Sequence, residues 1–219
     1  MPSLAEIRRA LAVHRPKLVH ALPDGAARGA AVAMCLCDRD GEARVLFIER
    51  ARREGDPWSG HMAFPGGRVD PGDGSARRAA ERETLEEVGV PLAGAERLGR
   101  LDDMRGHEAA ERSLVVSGFV YHVPDPPELR ISDEVEQAFW FPLALLLDPA
   151  RHVDYRFGPE KRYRYPGLVV GDPERHVVWG LTYRFLEIFF AAVGRPLPRR
   201  RVVMPPEWQR LAHEQEEGR

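Results

Sequence analysis

Apolar and polar residues alternate along the chain with the mixed spacing that is typical of an α/β protein. Residues 2–12 carry apolar side chains at helical spacing behind a Pro-Ser cap signal, which predicts a short amphipathic helix. Two apolar runs, 30–37 and 43–50, flank a polar turn at 38–41 and predict a β-hairpin. The Gly- and Pro-rich segment 54–74 is predicted to be a loop.

The later part of the chain repeats this mixture of strand and helix patterns. A helix is predicted over 75–88, with Gly89 in the position of a helix C-cap. Beyond it the pattern predicts strands at 96–104, 112–123 and 136–143, a hairpin at 152–170 and an apolar helix at 176–194. The order of these elements predicts an α/β fold.

The length of 219 residues and the hydrophobic fraction of 43% favour one main globular domain. A chain of this size buries roughly 70% of its unfolded surface, so its core needs no metal or disulfide for stability. We expect the main domain at 28–200, an N-terminal helix and connector at 1–27, and a polar C-terminal tail at 201–219.

The charge balance argues against some classes of partner. The 32 basic and 34 acidic side chains give a formal net charge of −2, which disfavours nucleic-acid binding and a polybasic membrane anchor. The chain has no run of about 18 apolar residues, and its start lacks the apolar core of a secretory signal. Cys35 and Cys37 stand two apart on one predicted strand, too close for an ordinary disulfide, so we expect a cytoplasmic protein.

Three glutamates share one face of the predicted helix 75–88. Glu83, Glu86 and Glu87 stand at i, i+3 and i+4. Like charges at these spacings destabilise a helix by about 0.2–0.5 kcal/mol per pair unless a positive charge lies between them. A hard divalent cation such as Mg²⁺ or Mn²⁺ would supply that charge, with Arg82 orienting Glu86. A solvated, glutamate-rich helix face is the alternative interpretation.

The Gly-rich segment before this helix favours the metal-site interpretation. In the turn Pro65-Gly66-Gly67 the backbone can come close to a ligand and offer a carbonyl oxygen to the same metal. The stretch 64–90 is therefore the most informative part of the sequence.

This stretch resembles the signature of the Nudix hydrolases, in which Gly, five residues, Glu and seven residues precede Arg-Glu-U-x-Glu-Glu-x-Gly-U, with U bulky and aliphatic. Residues 82–90, RETLEEVGV, match the second half at every fixed position, with Thr84 as a soft mismatch at a U position. The first half departs more. Gly67 stands fifteen positions before the arginine instead of fourteen, and Gly74 replaces the central Glu, with Asp73 beside it.

The sequence also resembles the coenzyme A pyrophosphatase branch of this family. The motif FPGGRVDPGD at 64–73 reproduces that branch's F-P-G-G-x-x-D-x-x-D. Arg50 and Gly60 fit the segment R…G-x-x-x that precedes F-P-G-G in this branch, and 176–182 resembles the I-W-G-x-T start of its helix. The resemblance covers about residues 30–195.

The resemblance implies a Nudix-type α/β/α sandwich with a mixed central β-sheet, and metal-dependent hydrolysis of a diphosphate bond. Carried over by position, the ligands of Mg²⁺ or Mn²⁺ would be Glu83, Glu86, Glu87 and the carbonyl of Gly67. Glu86 and Glu87 are also candidate catalytic residues. Glu134, with Glu136 as alternate, would be a further ligand or the general base, unless it is an ordinary loop acid.

The branch implies coenzyme A or its thioesters as substrate. Arg50 and Arg68 are candidates to clamp phosphate oxygens, and His61 would reach a phosphate or make a structural hydrogen bond. Cations and aromatics interleave over 155–165. They would stack an adenine ring and hold a phosphate, or they are alternating residues of a strand with one wet face.

Two alternatives to this function stay open. The protein would hydrolyse another nucleotide derivative, such as ADP-ribose, a dinucleotide or a nucleoside triphosphate, or it would bind a nucleotide without cleaving it. The three clustered, mutually repelling carboxylates favour an enzyme. The expected partner is a small nucleotide-type molecule, with no membrane and no nucleic acid, and a homodimer is one open arrangement.

Overall fold

Two β-sheets and three α-helices form the part of the chain that this computed structural model describes, namely residues 2–19, 28–39, 41–56, 58–107, 113–157 and 163–198. The tail predicted at 201–219 lies outside these residues. The helices are α1 (Leu4–Val13), α2 (Ala76–Val88) and α3 (Gly180–Ala192). Short 3₁₀ helices occupy Leu143–Leu147 and Pro149–Arg151. The strands are β1 (Arg28–Arg39), β2 (Glu42–Arg50), β3 (Met62–Ala63), β4 (Gly66–Arg68), β5 (Glu96–Arg100), β6 (Met104–His107), β7 (Ser113–His122), β8 (Val135–Pro142), β9 (His152–Phe157), β10 (Tyr163–Val169) and β11 (Val177–Val178).

The larger sheet is mixed. Its strand order is β3-β2-β1-β7-β5, with β4 paired to β1, β6 to β7 and β8 to β2. β1 and β7 run parallel, with Arg28 opposite Leu114 and Leu36 opposite His122, whereas the other described pairs of this sheet are antiparallel. The smaller sheet is antiparallel, with the order β11-β10-β9.

Helices cover both faces of the larger sheet. α2 buries Ala79, Ala80 and Val88 on the face where β1 presents Ala31 and Ala33. The opposite face packs against α1 and α3 through large apolar side chains, which include Ile7, Leu11, Met34, Leu36, Val120, Phe185, Leu186 and Phe189. This arrangement confirms the predicted α/β/α sandwich with a mixed central sheet. In the described part of the chain, no helix has the length and apolar character needed to cross a membrane.

Most predicted elements lie close to their expected positions, but the structure corrects two strand regions. The predicted loop 54–74 contains two short strands, because Gly66 and Gly67 lie in β4 and pair with β1, while β3 pairs with β2. The predicted strand 96–104 ends at Arg100 and resumes as β6, so it forms two strands that both pair with β7.

The last predicted helix is shorter than expected. The apolar stretch 176–194 was predicted to be helical throughout, but α3 begins at Gly180. Val177 and Val178 instead form β11 and pair with the end of β10, where Val178 lies opposite Leu168. An apolar run does not by itself distinguish a buried strand from a buried helix, which explains the difference.

Candidate active site

Helix α2 is positioned by its two ends and by its packing against the Gly-rich turn. Ser75 caps its N-terminus by accepting a hydrogen bond from a backbone N–H of the first turn at 3.3 Å. Gly89 ends it in the left-handed region at φ 71°. The helix packs on β1 and β4, so the face that carries Glu83 and Glu87 meets the turn at Gly66.

Thr84 occupies the signature position where a bulky aliphatic residue is usual. Its side chain is fully buried, and its hydroxyl donates to the carbonyl of Ala80 at 2.7 Å. Because this hydrogen bond satisfies the buried hydroxyl, the polar residue is accommodated within the helix.

The turn brings its backbone directly against the acidic face of α2. Gly66 has φ 153°, and a Cβ at this position would overlap the carbonyl oxygen of Ala31 on β1. A Cβ on Gly67 would overlap the carboxylate of Glu83. Gly66 therefore requires glycine, whereas a side chain at Gly67 would displace the carboxylate of Glu83. The close approach lets the Gly66 N–H donate to Glu87 Oε2 at 2.8 Å.

Glu87 is the most deeply buried carboxylate of this group, with 2% of its surface exposed. Burial raises the pKa of Glu87 to about 8, while the hydrogen bond from Gly66 opposes the shift. The charges of Glu83 and Glu134 raise this pKa further, and Arg50 lowers it. The charges of Glu83 and Glu134 thus act on a carboxylate that is shielded from water, and a bound cation would stabilise the charged forms of these groups.

Arg82 pairs with Glu83 and Glu86, the other two glutamates of the acidic face of α2. Its Nη1 donates to Glu83 Oε1 and to Glu86 Oε2, each at 2.9 Å. Its Nε and Nη2 donate to the two carboxylate oxygens of Asp73 at 2.8 and 3.0 Å, and these hydrogen bonds lower the pKa of Asp73 to about 2. Nη2 also donates to the backbone carbonyl of Arg68 at 3.2 Å.

The donor set suits a divalent cation by its chemistry. Carboxylate and carbonyl oxygens are the ligands that Mg²⁺ and Mn²⁺ prefer, and the buried Glu87 lacks a paired cation of its own among the described residues. No three acidic, His or Cys side chains of the described residues are arranged to hold an ion, and Arg82 lies between Glu83 and Glu86. The ligand set with the Gly67 carbonyl therefore stays a prediction.

Glu134 lies in the loop before β8, close to the α2 carboxylates. Its backbone carbonyl accepts a hydrogen bond from the Ala51 N–H at 2.8 Å, which ties this loop to the end of β2. The charge of Glu134 adds to the burial that raises the pKa of both Glu83 and Glu87. The Glu134 carboxylate is exposed and accepts a hydrogen bond from Arg53 Nη1 at 3.1 Å, and the alternate, Glu136, is an exposed residue of β8. The role of Glu134 as ligand or general base therefore stays a prediction, supported by the effect of its charge on the α2 carboxylates.

The two arginines predicted to bind phosphate differ in their surroundings. Arg50 ends β2, and its charge acts on both Glu87 and His61. Its Nη2 donates to Asp56 at 2.9 Å, whereas its buried Nε has no hydrogen-bond partner in the described part of the chain. Arg68 is exposed at the end of β4. Phosphate binding by either arginine stays a prediction, with Arg50 held beside the carboxylates.

His61 is surrounded by aromatic side chains. Its ring makes edge-on contacts, 5.0–6.5 Å between centroids, with Trp58, Tyr155, Phe157 and Trp179. Burial lowers the pKa of His61 to about 4, against the opposing charge of Asp56. A neutral His61 could offer a phosphate a hydrogen bond but no charge, so its predicted contact with substrate remains untested.

The hairpin β9–β10 separates its aromatic and charged residues. Tyr155 pairs with Tyr165 and Arg156 with Arg164, yet the tyrosines are half-buried or buried while both arginines are exposed. Residues 158–162 lie outside the described part of the chain. The alternation of a strand with one wet face therefore explains the positions of these two arginines, which do not share the aromatic face. Stacking of an adenine ring by the aromatic face stays a prediction.

Two contacts that shape the site are not evident from the sequence pattern. One is the pairing of Arg82 with Asp73. Its only signal in the sequence is that Asp73 stands next to Gly74, the position where the Nudix signature has its central glutamate. The other is the fully buried Glu49, whose oxygens accept hydrogen bonds from Arg175 Nη2 at 3.0 and 2.9 Å and from His176 Nε2 at 3.3 Å. The latter partners are more than 120 positions apart, so no local pattern signals them.

The comparison with known families agrees with this geometry. Residues 27–161, more than half of the chain, match the NUDIX domain. The chain belongs to the Nudix family. The helix that carries the signature of the family is α2, and the glycine turn before it is β4 with its flanking residues.

Relatives of this Nudix chain include a human enzyme. The chain is 35% identical over 156 residues to the mitochondrial coenzyme A diphosphatase NUDT8 of Homo sapiens, a match that covers 70% of this chain and 64% of that protein. It is 44% identical over 110 residues to the uncharacterized protein C14C4.10c of Schizosaccharomyces pombe, covering 48% of this chain and 33% of that protein. The chain thus spans between a third and just under two thirds of these relatives.

A solved structure supports the Nudix fold. The crystal structure of a Nudix hydrolase from Alicyclobacillus acidocaldarius matches with a TM-score of 0.53 and 17% identity, covering 77% of this chain and 91% of that one. At this identity the likeness concerns the fold alone.

Proposed function

We propose that this protein hydrolyses the diphosphate bond of coenzyme A or its thioesters, giving 4′-phosphopantetheine, or its acyl form, and adenosine 3′,5′-bisphosphate. The observation that carries the hydrolase assignment is the buried Glu87, which accepts the Gly66 N–H and lies near the charges of Glu83 and Glu134. Coenzyme A is supported by the segment with Arg50 that precedes F-P-G-G and by the similarity to human coenzyme A diphosphatase.

The carboxylates of Glu83, Glu86 and Glu87, with the Gly67 carbonyl, would hold Mg²⁺ or Mn²⁺. When bound, the ion would neutralise charge on the diphosphate and lower the pKa of an attacking water. The chain's own contribution is to orient these donors. The Gly66 N–H fixes Glu87, and Arg82 restrains Glu83 and Glu86.

The reaction forms one bond between the water oxygen and a phosphorus, and it breaks the anhydride bond between that phosphorus and the bridging oxygen. Glu134 would take the proton of the attacking water, because its charge acts on Glu87 and its loop is tied to the end of β2. To do so it would exchange its hydrogen bond from Arg53 Nη1 for one to the water. Arg50, at the end of β2, would bind oxygens of the diphosphate and oppose their charge.

Mass spectrometry of the products tests this proposal. Purified protein is incubated with Mg²⁺ or Mn²⁺ and coenzyme A, with ADP-ribose, NADH, a diadenosine polyphosphate and a nucleoside triphosphate in parallel. We expect 4′-phosphopantetheine as the dominant product, its loss in Glu87→Gln, and its retention in the exposed control Glu128→Gln. Cleavage of another substrate alone would overturn the coenzyme A assignment. Turnover of none of them would overturn the enzyme assignment in favour of nucleotide binding.

A further inference from the structure

An exposed tryptophan lies on the loop that follows β2. Trp58 has 39% of its surface exposed, whereas Trp179, which its ring contacts, is buried. A single exposed apolar side chain is common on protein surfaces and needs no ligand to explain it. The surroundings of Trp58 are what distinguish it.

The Trp58 ring is fixed by other aromatic side chains. It lies almost parallel to the Phe157 ring, with an interplanar angle of 12° and 6.2 Å between centroids. His61 meets it edge-on at 5.9 Å, and Trp179 lies 6.1 Å away at 40°. The backbone is restrained too, because the Trp58 N–H donates to Asp56 Oδ1 at 2.9 Å. A ring held in this way loses little conformational entropy when it binds a ligand.

The rings behind Trp58 form a continuous support. Trp179 stacks on Tyr155 with centroids 4.7 Å apart and lies 4.6 Å from Phe157. Trp58, His61, Tyr155, Phe157 and Trp179 are called the aromatic wall below. It is built from the loop after β2, from β9 and from the residue that precedes α3.

The aromatic wall adjoins the carboxylates through Arg50. The Arg50 N–H donates to the His61 carbonyl at 3.1 Å, and the Gly60 N–H donates to the Arg50 carbonyl at 3.0 Å. The charge of Arg50 acts on both His61 and Glu87. A nucleotide whose diphosphate lies at the carboxylates would therefore have the wall within reach of its next chemical group.

The chemistry of the aromatic wall suits a flat, uncharged ring. Trp58 has 39% of its surface exposed, the near-parallel Phe157 stacks on it, and the exposed Arg156 belongs to the other face of the hairpin. A purine stacks on such a surface, whereas the flexible pantetheine arm has no planar face to offer.

We infer that the exposed face of Trp58 stacks the adenine base of a bound nucleotide, with the aromatic wall holding the indole in place. The inference rests on the proposed function only for the identity of the nucleotide. It makes Trp58 a binding residue, separate from the carboxylates that would carry the hydrolysis.

Calorimetry with two ligands tests this inference without hydrolysis. Adenosine 3′,5′-bisphosphate contains adenine, and 4′-phosphopantetheine does not. In Trp58→Ala we expect the affinity for the bisphosphate to fall by about fivefold to a hundredfold, the range typical of the loss of one base–aromatic stack, with the affinity for 4′-phosphopantetheine unchanged. Trp58→Phe should retain most of the affinity. Val13→Ala, which alters another exposed apolar side chain on α1, is the matched control.

Three results would overturn the inference: no binding of the bisphosphate to the wild-type protein, wild-type affinity in Trp58→Ala, or equal loss of both ligands. Melting temperatures of Trp58→Ala and Trp58→Phe show whether the fold is retained. The two proposals fail separately. Coenzyme A cleavage with an unchanged KM in Trp58→Ala removes the stacking inference alone, whereas adenine-dependent binding without coenzyme A cleavage removes the proposed substrate alone.

Discussion

Asp73 holds Arg82 by two hydrogen bonds, which join Nε and Nη2 of the guanidinium to the two carboxylate oxygens at 2.8 and 3.0 Å. Such a bidentate pair fixes both the position and the plane of the guanidinium. The remaining nitrogen, Nη1, is thereby aimed at Glu83 and Glu86. Asp73 therefore acts on Glu83 and Glu86 through Arg82.

Asp73→Asn tests this positioning. The substitution removes the negative charge of Asp73, so the Arg82 guanidinium is less restrained. We expect kcat to fall by about tenfold to a hundredfold, the effect of losing a charged hydrogen bond, while KM changes little. Asp70→Asn is the matched control, because that exposed carboxylate lies 3.7 Å from Arg82 Nη2. Steady-state kinetics of both variants decide the matter, and equal effects would contradict the assignment.

Asp73 also predicts a feature of acid unfolding. Its pKa is lowered from 3.8 to about 2, so the ion pair stabilises the fold above pH 3.8 and this contribution is lost as the pH falls towards 2. The free energy of unfolding measured in urea should decrease over that pH range more for the wild type than for Asp73→Asn. Parallel curves for the two proteins would argue against the pair.

Glu87 makes the stability of the metal-free protein depend on pH in the opposite direction. Its pKa is raised from 4.5 in the unfolded chain to about 8 in the folded protein. The contribution of protonated Glu87 to the free energy of unfolding is therefore fully present below pH 4.5 and is lost as the pH rises through 8. In EDTA we expect the melting temperature of the wild type to fall between pH 5 and 9 more than that of Glu87→Gln. Addition of Mg²⁺ or Mn²⁺ should raise the melting temperature of the wild type at pH 8 and leave Glu87→Gln unchanged. A wild type that does not respond to either ion would contradict the metal assignment.

Glu134 and Glu136 form a matched pair two residues apart. The charge of Glu134 acts on Glu83 and Glu87, whereas that of Glu136 acts on Arg175. We therefore expect Glu134→Gln to lower kcat by about a hundredfold or more and Glu136→Gln to keep activity near the wild type. A general base would also change the acidic limb of the pH–rate profile. Full activity of Glu134→Gln across that profile would show that it is an ordinary loop acid.

The lowered pKa of His61 predicts that the folded protein loses stability in mild acid. Its pKa falls from 6.5 to about 4 on folding, so between these pH values the unfolded chain binds a proton that the folded protein does not, and stability decreases as the pH falls. His61→Phe keeps an aromatic ring in the aromatic wall but cannot titrate. We expect its urea midpoint to change less than that of the wild type between pH 6.5 and 4. An equal slope for both proteins would place the acid sensitivity elsewhere.

The local parts of this site could be predicted from the sequence. Helical spacing alone aligns Glu83, Glu86 and Glu87, and Gly89 marks the end of α2 as predicted. These features depend on residues within a few turns of one another, where steric and hydrogen-bonding rules act directly on the local chain.

The distant parts could not be predicted, because they depend on how the two sheets meet. Trp58 and Phe157 come from segments about a hundred positions apart, and no periodicity relates them. The interleaved residues of 155–165 allow two interpretations, and the sequence does not show that Tyr155 is half-buried while Arg156 is exposed, because that depends on what covers the strand.

Glu49 precedes Arg50 on β2, and its buried carboxylate binds Arg175 and His176, which lead along the chain to Trp179. Arg50, which would bind the diphosphate, and Glu49, which binds the segment leading to Trp179, are therefore neighbours on one strand. A single buried carboxylate consequently ties the segment that leads to Trp179 to the strand that ends at Arg50, so the placement of the wall depends on the protein core as well as on the loop that carries Trp58.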